Sequence, residues 1–436
     1  MKILFYCWKA YNQSDIIAAL RRRGHIVDTF GMELGNFEVD DNFKDKFVTK
    51  LRSGEESKVS TVDCTETKER AGFGRACDKN SGDSVYDAVF SVNYFPIISD
   101  ICEQLFGGSV RYICWTCDSP LSTMYHESIF NKCNYIFIFD KFCYMEFKEL
   151  GANVYYLPLA AAVERADEVV EKWREDMLKG VTGHSADSME IQNYLYDVSF
   201  IGSMYRKNSY DEIKDMLPDY VRGYFDALMK MQMEIYGENY IDAMLTAEII
   251  DELNKHFRIE KSERSFSNIS LIFSTTVLGF KIAQLERGKL LSALSKRFDV
   301  SVFTDDKSAD FVLAHNMGPV RYWDESPVVF YASKINLNFT IRNIRSGIPL
   351  RVWDILAAGG FCITNFQPEL VMYFKNGEDL VWFEDEADLT RKVRYYLEHD
   401  EEREQIALNG QKKVHMLHNY DKRLEVIEKA ILGMEF

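Results

Sequence analysis

Short apolar segments alternate with segments of helical periodicity along most of this chain, and that alternation limits the possible folds more than any other feature of the sequence. The apolar run 3–7 comes first, and Ser14 can cap the helix that follows it. That helix carries Ile16, Ile17 and Leu20 on one face, and HIVDTF is predicted as the next strand. Because a strand–helix–strand crossover of this length builds a parallel sheet, the start of the chain predicts an α/β domain.

The alternation divides the chain into two predicted α/β domains joined by a linker. The predicted segments are a first domain at 1–162 with a charged excursion at about 38–84, a linker at 163–195, a second domain at 196–415 with a helical insertion at about 208–265, and a final helix at 416–436. The final helix can pack back on the first domain. Two parallel-sheet domains in tandem are expected to face a cleft, into which the carboxyl ends of their strands direct loops.

Composition excludes several classes of protein. The 436 residues carry a net charge of −16, whereas a nucleic-acid-binding chain would usually be basic. The start, MKILFYCWKAY, lacks a small-residue cleavage site, and no apolar run approaches the ~20 residues that span a bilayer. The scattered cysteines, including Cys114 and Cys117 in CWTC, fit reduced structural thiols. We therefore expect a cytoplasmic protein with no integral membrane segment and no nucleic-acid partner.

One stretch of the second domain is basic within this acidic chain: KINLNFTIRNIRSGIPLRVWDILAAGG, residues 334–360. It contains Lys334, Arg342, Arg345 and Arg351, and Asp354 follows Arg351 by one helical turn. Cationic groups close to glycine turns and a helix start are what a diphosphate requires, and a carboxylate can accept hydrogen bonds from sugar hydroxyls. A solvated basic face that pairs with acidic neighbours explains the same residues, so both interpretations stay open.

This stretch and the sequence after it, FCITNFQPELVMYFKNGEDLVWFED, resemble the donor domain of the CgeB-like glycosyltransferases. The stretches CWTCDSP and GANVYYLPLA match the family more loosely, and DVSFIGSMYRKN resembles the strand that opens its second domain. The family belongs to the GT-B superfamily and has a glycosyltransferase group 1-like donor domain. The resemblance implies an α/β, GT-B fold in which two Rossmann-like doubly wound domains face a cleft. It also implies a nucleotide-sugar donor, which we predict to be a UDP-sugar, held mainly by the second domain, and it makes the first domain the acceptor domain.

The resemblance implies roles for the matching residues of the donor domain. Asp354 occupies the position of a glutamate that binds the nucleotide ribose. Arg351, Arg345 and Lys334 would stabilise the leaving diphosphate. The other predicted donor-binding residues are Gly202, Ser203, Arg206, Arg342, Gly359, Gly360, Thr364 and Asn365. No metal site and no cofactor are predicted, because GT-B enzymes as a class do not need a bound metal to carry the donor.

Three residues are candidates for the chemistry itself: Arg351, Asp118 and His126. Asp118 lies in DSP at the predicted cleft end of a strand, where a catalytic base, an acceptor contact or a simple Asx-turn would each fit. His126 is either a second candidate or a structural histidine. Retaining relatives place a first glutamate eight residues before the second, whereas this chain has Ser346 there and an aspartate at 354. The stereochemical outcome therefore stays open.

These features together predict a metal-independent, hexosyltransferase-type glycosyltransferase. It would move a sugar from a nucleotide-diphosphate donor to a protein, glycan or small-molecule acceptor. Two alternatives use the same fold. A catalytically silent binding or coat-assembly protein would bind nucleotide or glycan without turnover, which the Ser346 departure favours. A nucleotide-sugar epimerase would isomerise the donor without an acceptor.

Overall fold

The computed structural model describes residues 1–54, 84–180, 194–258, 262–307 and 313–434. They form two compact units. Unit 1 comprises Met1–Pro158, Glu260–Ser267 and Tyr420–Phe436, and unit 2 comprises Leu159–Ile259 and Asn268–Asn419. Within the predicted charged excursion, Asp41–Ser53 is a helix, and residues 55–83 lie outside the described residues. Within the predicted linker, Val163–Gly180 is a helix of unit 2, and residues 181–193 lie outside the described residues.

Unit 1 is built on a parallel sheet whose strands are β1 (Lys2–Cys7), β2 (Ile26–Gly31), β3 (Ala88–Val92), β4 (Arg111–Trp115), β5 (Asn134–Ile138) and β6 (Val154–Tyr156). Among the described residues the order across the sheet is β2-β1-β3-β4-β5-β6. The chain therefore moves from β1 outwards to β2 and then crosses to β3 on the other side of β1. The carboxyl ends of β1 and β3 form a topological switch point, which is where open α/β sheets bind ligands.

Burial explains why these apolar segments form the middle of the sheet. Strand β1 is almost entirely buried, as expected for a parallel sheet covered on both faces. Its Phe5 stacks on Phe90 of β3, with ring centroids 5.2 Å apart. The helices of unit 1, numbered along the whole chain, are α1 (Gln13–Arg22), α2 (Asp41–Ser53), α3 (Pro96–Asp100), α4 (Lys141–Glu149) and α17 (Tyr420–Ile431).

Two segments that are distant in sequence complete unit 1. Arg23 Nη2 lies 2.6 Å from Glu428 Oε2, which joins α17 to the end of α1. In residues 262–267, the Arg264 guanidinium pairs with Asp100, and Arg264 O accepts a hydrogen bond from Glu127 N at 3.0 Å. The last residues of the predicted helical insertion therefore pack in unit 1.

Unit 2 is built on a second parallel sheet, whose strands are β7 (Tyr196–Ile201), β8 (Val300–Phe303), β9 (His315–Asn316), β10 (Ser333–Asn338), β11 (Cys362–Asn365) and β12 (Val381–Phe383). Their order in the described part of the chain is β12-β11-β10-β7-β8-β9. The chain runs from β7 to β8 and β9 on one side and then crosses to β10 on the other. The switch point of unit 2 therefore lies at the carboxyl ends of β7 and β10. Two parallel sheets with flanking helices confirm the predicted α/β class.

The helices of unit 2 are α5 (Val163–Gly180), α6 (Ser209–Ile213), α7 (Asp219–Met233), α8 (Ile241–Met244), α9 (Ala247–His256), α10 (Ile269–Ile272), α11 (Leu278–Ser295), α12 (Ser326–Tyr331), α13 (Leu350–Ala357), α14 (Leu370–Tyr373), α15 (Glu386–Glu398) and α16 (Asp400–Leu417). A π-helical turn, Phe273–Val277, joins α10 and α11 into the long helical stretch Ile269–Ser295. By length and composition it is the one stretch among the described residues that could cross a membrane, and most of its apolar window is buried. Leu278 and Ile282 of this stretch pack in a core cluster with α7 and α9.

Candidate functional site

Arg287 lies at the switch point of unit 2. It sits in the middle of α11 and is only 8% exposed. One guanidinium nitrogen donates a hydrogen bond to Ser203 O, and Nη2 donates to Phe339 O at 2.7 Å. Because Ser203 follows β7 and Phe339 follows β10, the guanidinium bridges the carboxyl ends of these two strands.

The surroundings of Arg287 fix the plane of its guanidinium. It lies 5.4 Å from the ring centroid of Phe200 and 4.9 Å from that of Tyr205. A Cβ atom at Gly202 would lie 3.1 Å from the Phe200 ring and 3.5 Å from Arg287 Nη1. Gly202 therefore leaves room for the Phe200 ring on which the guanidinium lies, and Ser203 supplies a carbonyl to the arginine.

The positive charge of Arg287 has no carboxylate partner among the described residues. The adjacent Glu286 is instead paired with Arg342, at 2.7 Å. Burial is the main cause that lowers the pKa of Arg287, and the nearby positive charge of Arg351 contributes in the same direction. Arg287 Nε and Arg351 Nη1 are buried and lack a hydrogen-bond partner in the described residues. Two guanidinium groups with unused donors at the same edge of the sheet form a site that an anion with several oxygen atoms would complete.

Arg351 adds a helix terminus to this site. It lies in the first turn of α13, and its guanidinium is 5.6 Å from the ring centroid of Phe330. Since α13 follows β10 and precedes β11 in a parallel sheet, its amino end lies at the carboxyl edge. The free N–H groups and the dipole of a helix amino end favour a phosphate oxygen.

Asp354 lies one turn further along α13 and is only 7% exposed. Its carboxylate accepts a hydrogen bond from Tyr322 Oη at 3.1 Å, and Arg165 Nη2 of α5 lies 4.0 Å away. The Arg165 guanidinium also covers the Tyr322 ring, at 4.6 Å from its centroid. Asp354 thus has protein partners, and it lies beside the predicted diphosphate ligand Arg351.

Thr364 and Asn365 end β11 at the same carboxyl edge. Asn338 Nδ2 donates to Thr364 Oγ1 at 2.9 Å, and Asn365 Oδ1 accepts from Thr340 N at 2.7 Å. Both side chains are buried. These hydrogen bonds stabilise the loops that follow β10 and β11. The two side chains therefore position the backbone of these loops at the carboxyl edge.

Three predicted donor-binding residues lie at the opposite, amino edge of the sheet. Lys334 is near the start of β10, where its ammonium group lies 2.7 Å from Asp197 Oδ1. Gly359 and Gly360 form the turn between α13 and β11. Gly359 has a φ of +78°, and a Cβ atom at Gly360 would lie 2.8 Å from Phe330 O. The structure corrects the expectation that these residues line a diphosphate at the carboxyl edge, because strand direction places them at the other end of the sheet.

The remaining predicted arginines have acidic partners. Arg342 is buried against Glu286, and its guanidinium lies 4.5 Å from the Tyr236 ring centroid. Arg345 Nη2 donates to Asp242 Oδ2 at 2.8 Å. Arg206 Nε lies 3.8 Å from Asp306 Oδ2. For these three residues, pairing with acidic neighbours is the interpretation that the contacts favour.

The catalytic candidates of unit 1 lie in different environments. Asp118 follows β4 and is exposed, and its Oδ2 accepts a hydrogen bond from Asn93 Nδ2 at 2.6 Å. His126 is buried, and its Nδ1 accepts from Ser128 N at 3.1 Å at the start of a short 3₁₀ helix. Burial, followed by the positive charge of Arg264, lowers the pKa of His126. His126 therefore caps the short helix, and its lowered pKa favours the neutral imidazole. The Asp118 carboxylate is accessible to solvent.

Sequence reasoning did not single out Arg287. The sequence feature that could have indicated it is the pair of adjacent charges Glu286 and Arg287, in the middle of a helix that is largely buried. Adjacent charges in such a helix require partners, and here the partners differ: an arginine for Glu286 and two strand-end carbonyls for Arg287. Among the described residues, no group of three or more His, Cys, Asp or Glu side chains could hold a metal ion.

Comparison with solved structures identifies the fold. HepE from Anabaena in complex with UDP and glucose superposes with a TM-score of 0.51, at 9% identity and over 100% of both chains. Sucrose-phosphate synthase from Thermosynechococcus elongatus superposes with a TM-score of 0.50, at 9% identity, over 99% of this chain and 98% of that one. The chain therefore has the GT-B glycosyltransferase fold, as predicted.

A family model matches part of unit 2 and most of the last helix. Residues 287–429 match Glyco_trans_1_2, described as glycosyl transferase-like, and the match begins at Arg287. No curated protein matches the chain. The chain thus has the GT-B fold, and its residues 287–429 are similar to a glycosyl transferase-like family, whereas the narrower CgeB-like resemblance stays a prediction.

Proposed function

We propose that this protein is a glycosyltransferase whose donor is a nucleotide-diphosphate sugar, with UDP as the nucleotide. The observation that carries the proposal is the pair Arg287 and Arg351 at the switch point of unit 2, which has unused donors and no carboxylate partner among the described residues. A diphosphate supplies the negative charge and the oxygen acceptors that this pair lacks. The structural neighbour HepE was solved in complex with UDP and glucose, which supports the choice of nucleotide.

The proposed role of the two arginines is to stabilise the leaving group. When the bond between the anomeric carbon and the diphosphate oxygen breaks, its electron pair stays on the diphosphate. The negative charge on that group therefore grows in the transition state. The Arg287 guanidinium is already fixed by Ser203 O, Phe339 O and the Tyr205 ring, and that of Arg351 lies against the Phe330 ring, so both can offset this charge with little reorganisation.

The proposed base is Asp118. An acceptor hydroxyl oxygen forms the new bond to the anomeric carbon, and its proton passes to the Asp118 carboxylate. Asn93 holds that carboxylate through the 2.6 Å hydrogen bond, and Asn93 Oδ1 accepts from Cys117 N at 2.8 Å. Positioning of this kind is what general-base catalysis needs.

We further propose that the donor is carried without a metal ion, because two cations of the protein itself are available to the diphosphate. The described cysteines are free thiols, which agrees with the proposed cytoplasmic location. A turnover assay tests both the activity and the metal independence. The protein is incubated with UDP-glucose, UDP-galactose or UDP-N-acetylglucosamine and a panel of sugar, peptide and small-alcohol acceptors, with and without EDTA, and released UDP is measured.

We expect UDP release from at least one donor, unchanged by EDTA. Asp118→Asn should lower the rate about 100- to 10,000-fold, because it removes the base. The matched control is Asp215→Asn, an exposed aspartate of unit 2. Isomerised donor without UDP release would instead identify an epimerase. Binding of UDP with no release over a long incubation would identify a catalytically silent binding protein.

A further inference from the structure

A groove on the outer face of unit 2 contains cationic side chains that the proposed function does not use. Residues of α11 and α15 line it, together with the end of α7, and its volume is about 600 Å³. Leu291 of α11 and Leu389 of α15 pack in one core cluster, so the two helices lie side by side over the same face of the sheet. Their exposed sides form the groove, whose lining includes the four cationic residues Lys289, Arg297, Arg391 and Arg394.

The acidic side chains of this groove already have partners in the protein. Lys289 Nζ lies 2.8 Å from Glu234 Oε1 and 3.3 Å from Glu386 Oε2. Asp385 caps α15, and its Oδ1 accepts a hydrogen bond from Asp388 N at 2.7 Å. One lysine and one helix amino end therefore satisfy these three carboxylates, and the arginines of the groove do not.

Two of those arginines have no carboxylate partner among the described residues. Arg297 Nη1 donates only to a backbone oxygen, Ala293 O, at 3.0 Å. The Arg394 guanidinium has no hydrogen bond or ion pair within the part of the chain that the structure describes. Carboxylates are abundant in a chain whose net charge is −16, yet none of the described ones pairs with these two groups. An anion in the groove would supply the missing negative charge.

The basic end of the groove lies away from the proposed diphosphate site. Arg297 precedes β8 by three residues, so it lies at the amino edge of the sheet. Helix α15 follows β12 and therefore runs from the carboxyl edge towards the amino edge, with Arg394 in its third turn. Arg287 and Arg351 lie at the carboxyl edge. A ligand of the groove is therefore a molecule other than the donor.

The chemistry of the groove limits the class of this ligand. Planar guanidinium groups bind phosphate oxygens in pairs. A groove of about 600 Å³ is much larger than a phosphate ion and has the size of a small-molecule site. Glu234, whose side chain is more than half exposed, offers carboxylate oxygens that can accept hydrogen bonds from hydroxyl groups. A phosphate ester that also carries hydroxyl groups fits both ends of the groove.

We infer that the groove between α11 and α15 is a binding site for a small phosphorylated molecule of the sugar-phosphate type. Arg297 and Arg394 hold the phosphate group, and Glu234 accepts a hydrogen bond from a hydroxyl group. The inference goes beyond the proposed function, because the site needs neither the donor nor the proposed base.

A binding experiment on the full chain, without any donor, tests the inference. The probes are glucose 6-phosphate, glucose 1-phosphate, glycerol 3-phosphate and inorganic phosphate, with glucose as the match that lacks a phosphate. Titration calorimetry at constant ionic strength measures their affinities, because salt screens exposed charges. The variants are Arg394→Ala and the double variant Arg297→Ala/Arg394→Ala. The matched control is Arg52→Ala, an exposed arginine of α2 in unit 1.

We expect at least one organic phosphate to bind wild type and Arg52→Ala equally, and more tightly than inorganic phosphate. Glucose should not bind. The affinity should fall about tenfold in Arg394→Ala and about 100-fold in the double variant, as for the loss of one and two charge-assisted hydrogen bonds. Arg351→Ala should leave the affinity unchanged. The melting temperatures of the groove variants should match wild type, because both side chains are exposed.

Four results would overturn the inference. They are the absence of binding by every organic phosphate, equal affinity in wild type and the double variant, an equal loss in Arg52→Ala, which would indicate general charge attraction, and a loss in Arg351→Ala, which would place the probe at the diphosphate site. Inorganic phosphate that binds as tightly as every ester would exclude the sugar-phosphate class. Failure of UDP to bind would count against the proposed function alone.

Discussion

Glu286 and Arg287 are neighbours on α11, but their side chains meet different environments. Glu286 is neutralised by Arg342 in a buried pair, whereas Arg287 is held by two backbone carbonyls and keeps its net charge. A buried charge without a counterion costs stability, and proteins retain one mainly where it acts on a ligand. At the scale of single residues, this contrast is the strongest sign of an anion site in unit 2.

His126 gives a residue-scale prediction about pH. Its pKa is lowered from 6.5, mainly by burial and then by Arg264, so the unfolded chain takes up a proton at higher pH than the folded one. The contribution of this neutral histidine to stability is complete above the ordinary pKa of 6.5 and is lost as the pH falls through the lower, folded-state value. Urea unfolding at about pH 7.5 and about pH 5.5 measures the loss.

The control for this prediction is His126→Asn, which keeps a side chain able to cap the short helix. It should lose less stability than wild type between the two pH values. An equal loss in both proteins would show that His126 does not carry the acid sensitivity.

Some candidate site residues stand out in the local sequence and others do not. The basic run and Asp118 are candidates from sequence because they adjoin predicted strand ends, and their roles stay predictions. Lys334, Gly359 and Gly360 lie at the amino edge of the sheet because of the direction of their strands. Lys334 is near the start of β10, and the two glycines precede β11. Arg287 reaches the site only through tertiary packing of α11, which no local pattern specifies.

Two helical glycines allow a test at the scale of elements. In α16, a Cβ atom at Gly410 would lie 2.2 Å from Asp379 O, so Gly410→Ala forces the helix away from a neighbouring loop. We expect a destabilisation of about 1–3 kcal/mol, as in other overpacked sites. In α7, Gly223 has nothing within 4 Å of such a Cβ atom, so Gly223→Ala should stabilise by about 0.5–1 kcal/mol through helix propensity.

Thermal or urea unfolding of the two variants measures these opposite effects. The free energy of unfolding should fall for Gly410→Ala and rise for Gly223→Ala. A rise for both would mean that helix propensity outweighs the close approach at Gly410.

Element boundaries were predicted best where periodicity is strong. The predicted strand 3–7 is observed as Lys2–Cys7, and the buried face of α1 carries Ile16, Ile17 and Leu20 as expected. The capping residue predicted for the start of α1 was wrong. Asn12 precedes the helix, whereas Ser14 lies inside its first turn and does not cap it. Asparagine and serine cap equally well, so propensity alone could not choose between them.

At the scale of the whole molecule, the chain returns to unit 1 twice. Residues 260–267 and 420–436 belong to unit 1, although the neighbouring sequence belongs to unit 2. The prediction allowed for the return of the final helix but included 260–265 in the helical insertion of the second domain, because alternation identifies elements and not their packing partners. The contacts that bring these segments back, Arg264 with Asp100 and Arg23 with Glu428, join residues far apart in sequence.

The account as a whole depends on the diphosphate lying against Arg287 and Arg351. The most direct measurement is calorimetric titration with UDP and with uridine, for wild type, Arg351→Ala and the exposed control Arg222→Ala. The account predicts that Arg351→Ala weakens UDP binding about 10- to 100-fold, the effect of losing one charge-assisted hydrogen bond, while uridine binding and the control stay unchanged. Equal UDP affinity in wild type and Arg351→Ala would contradict it.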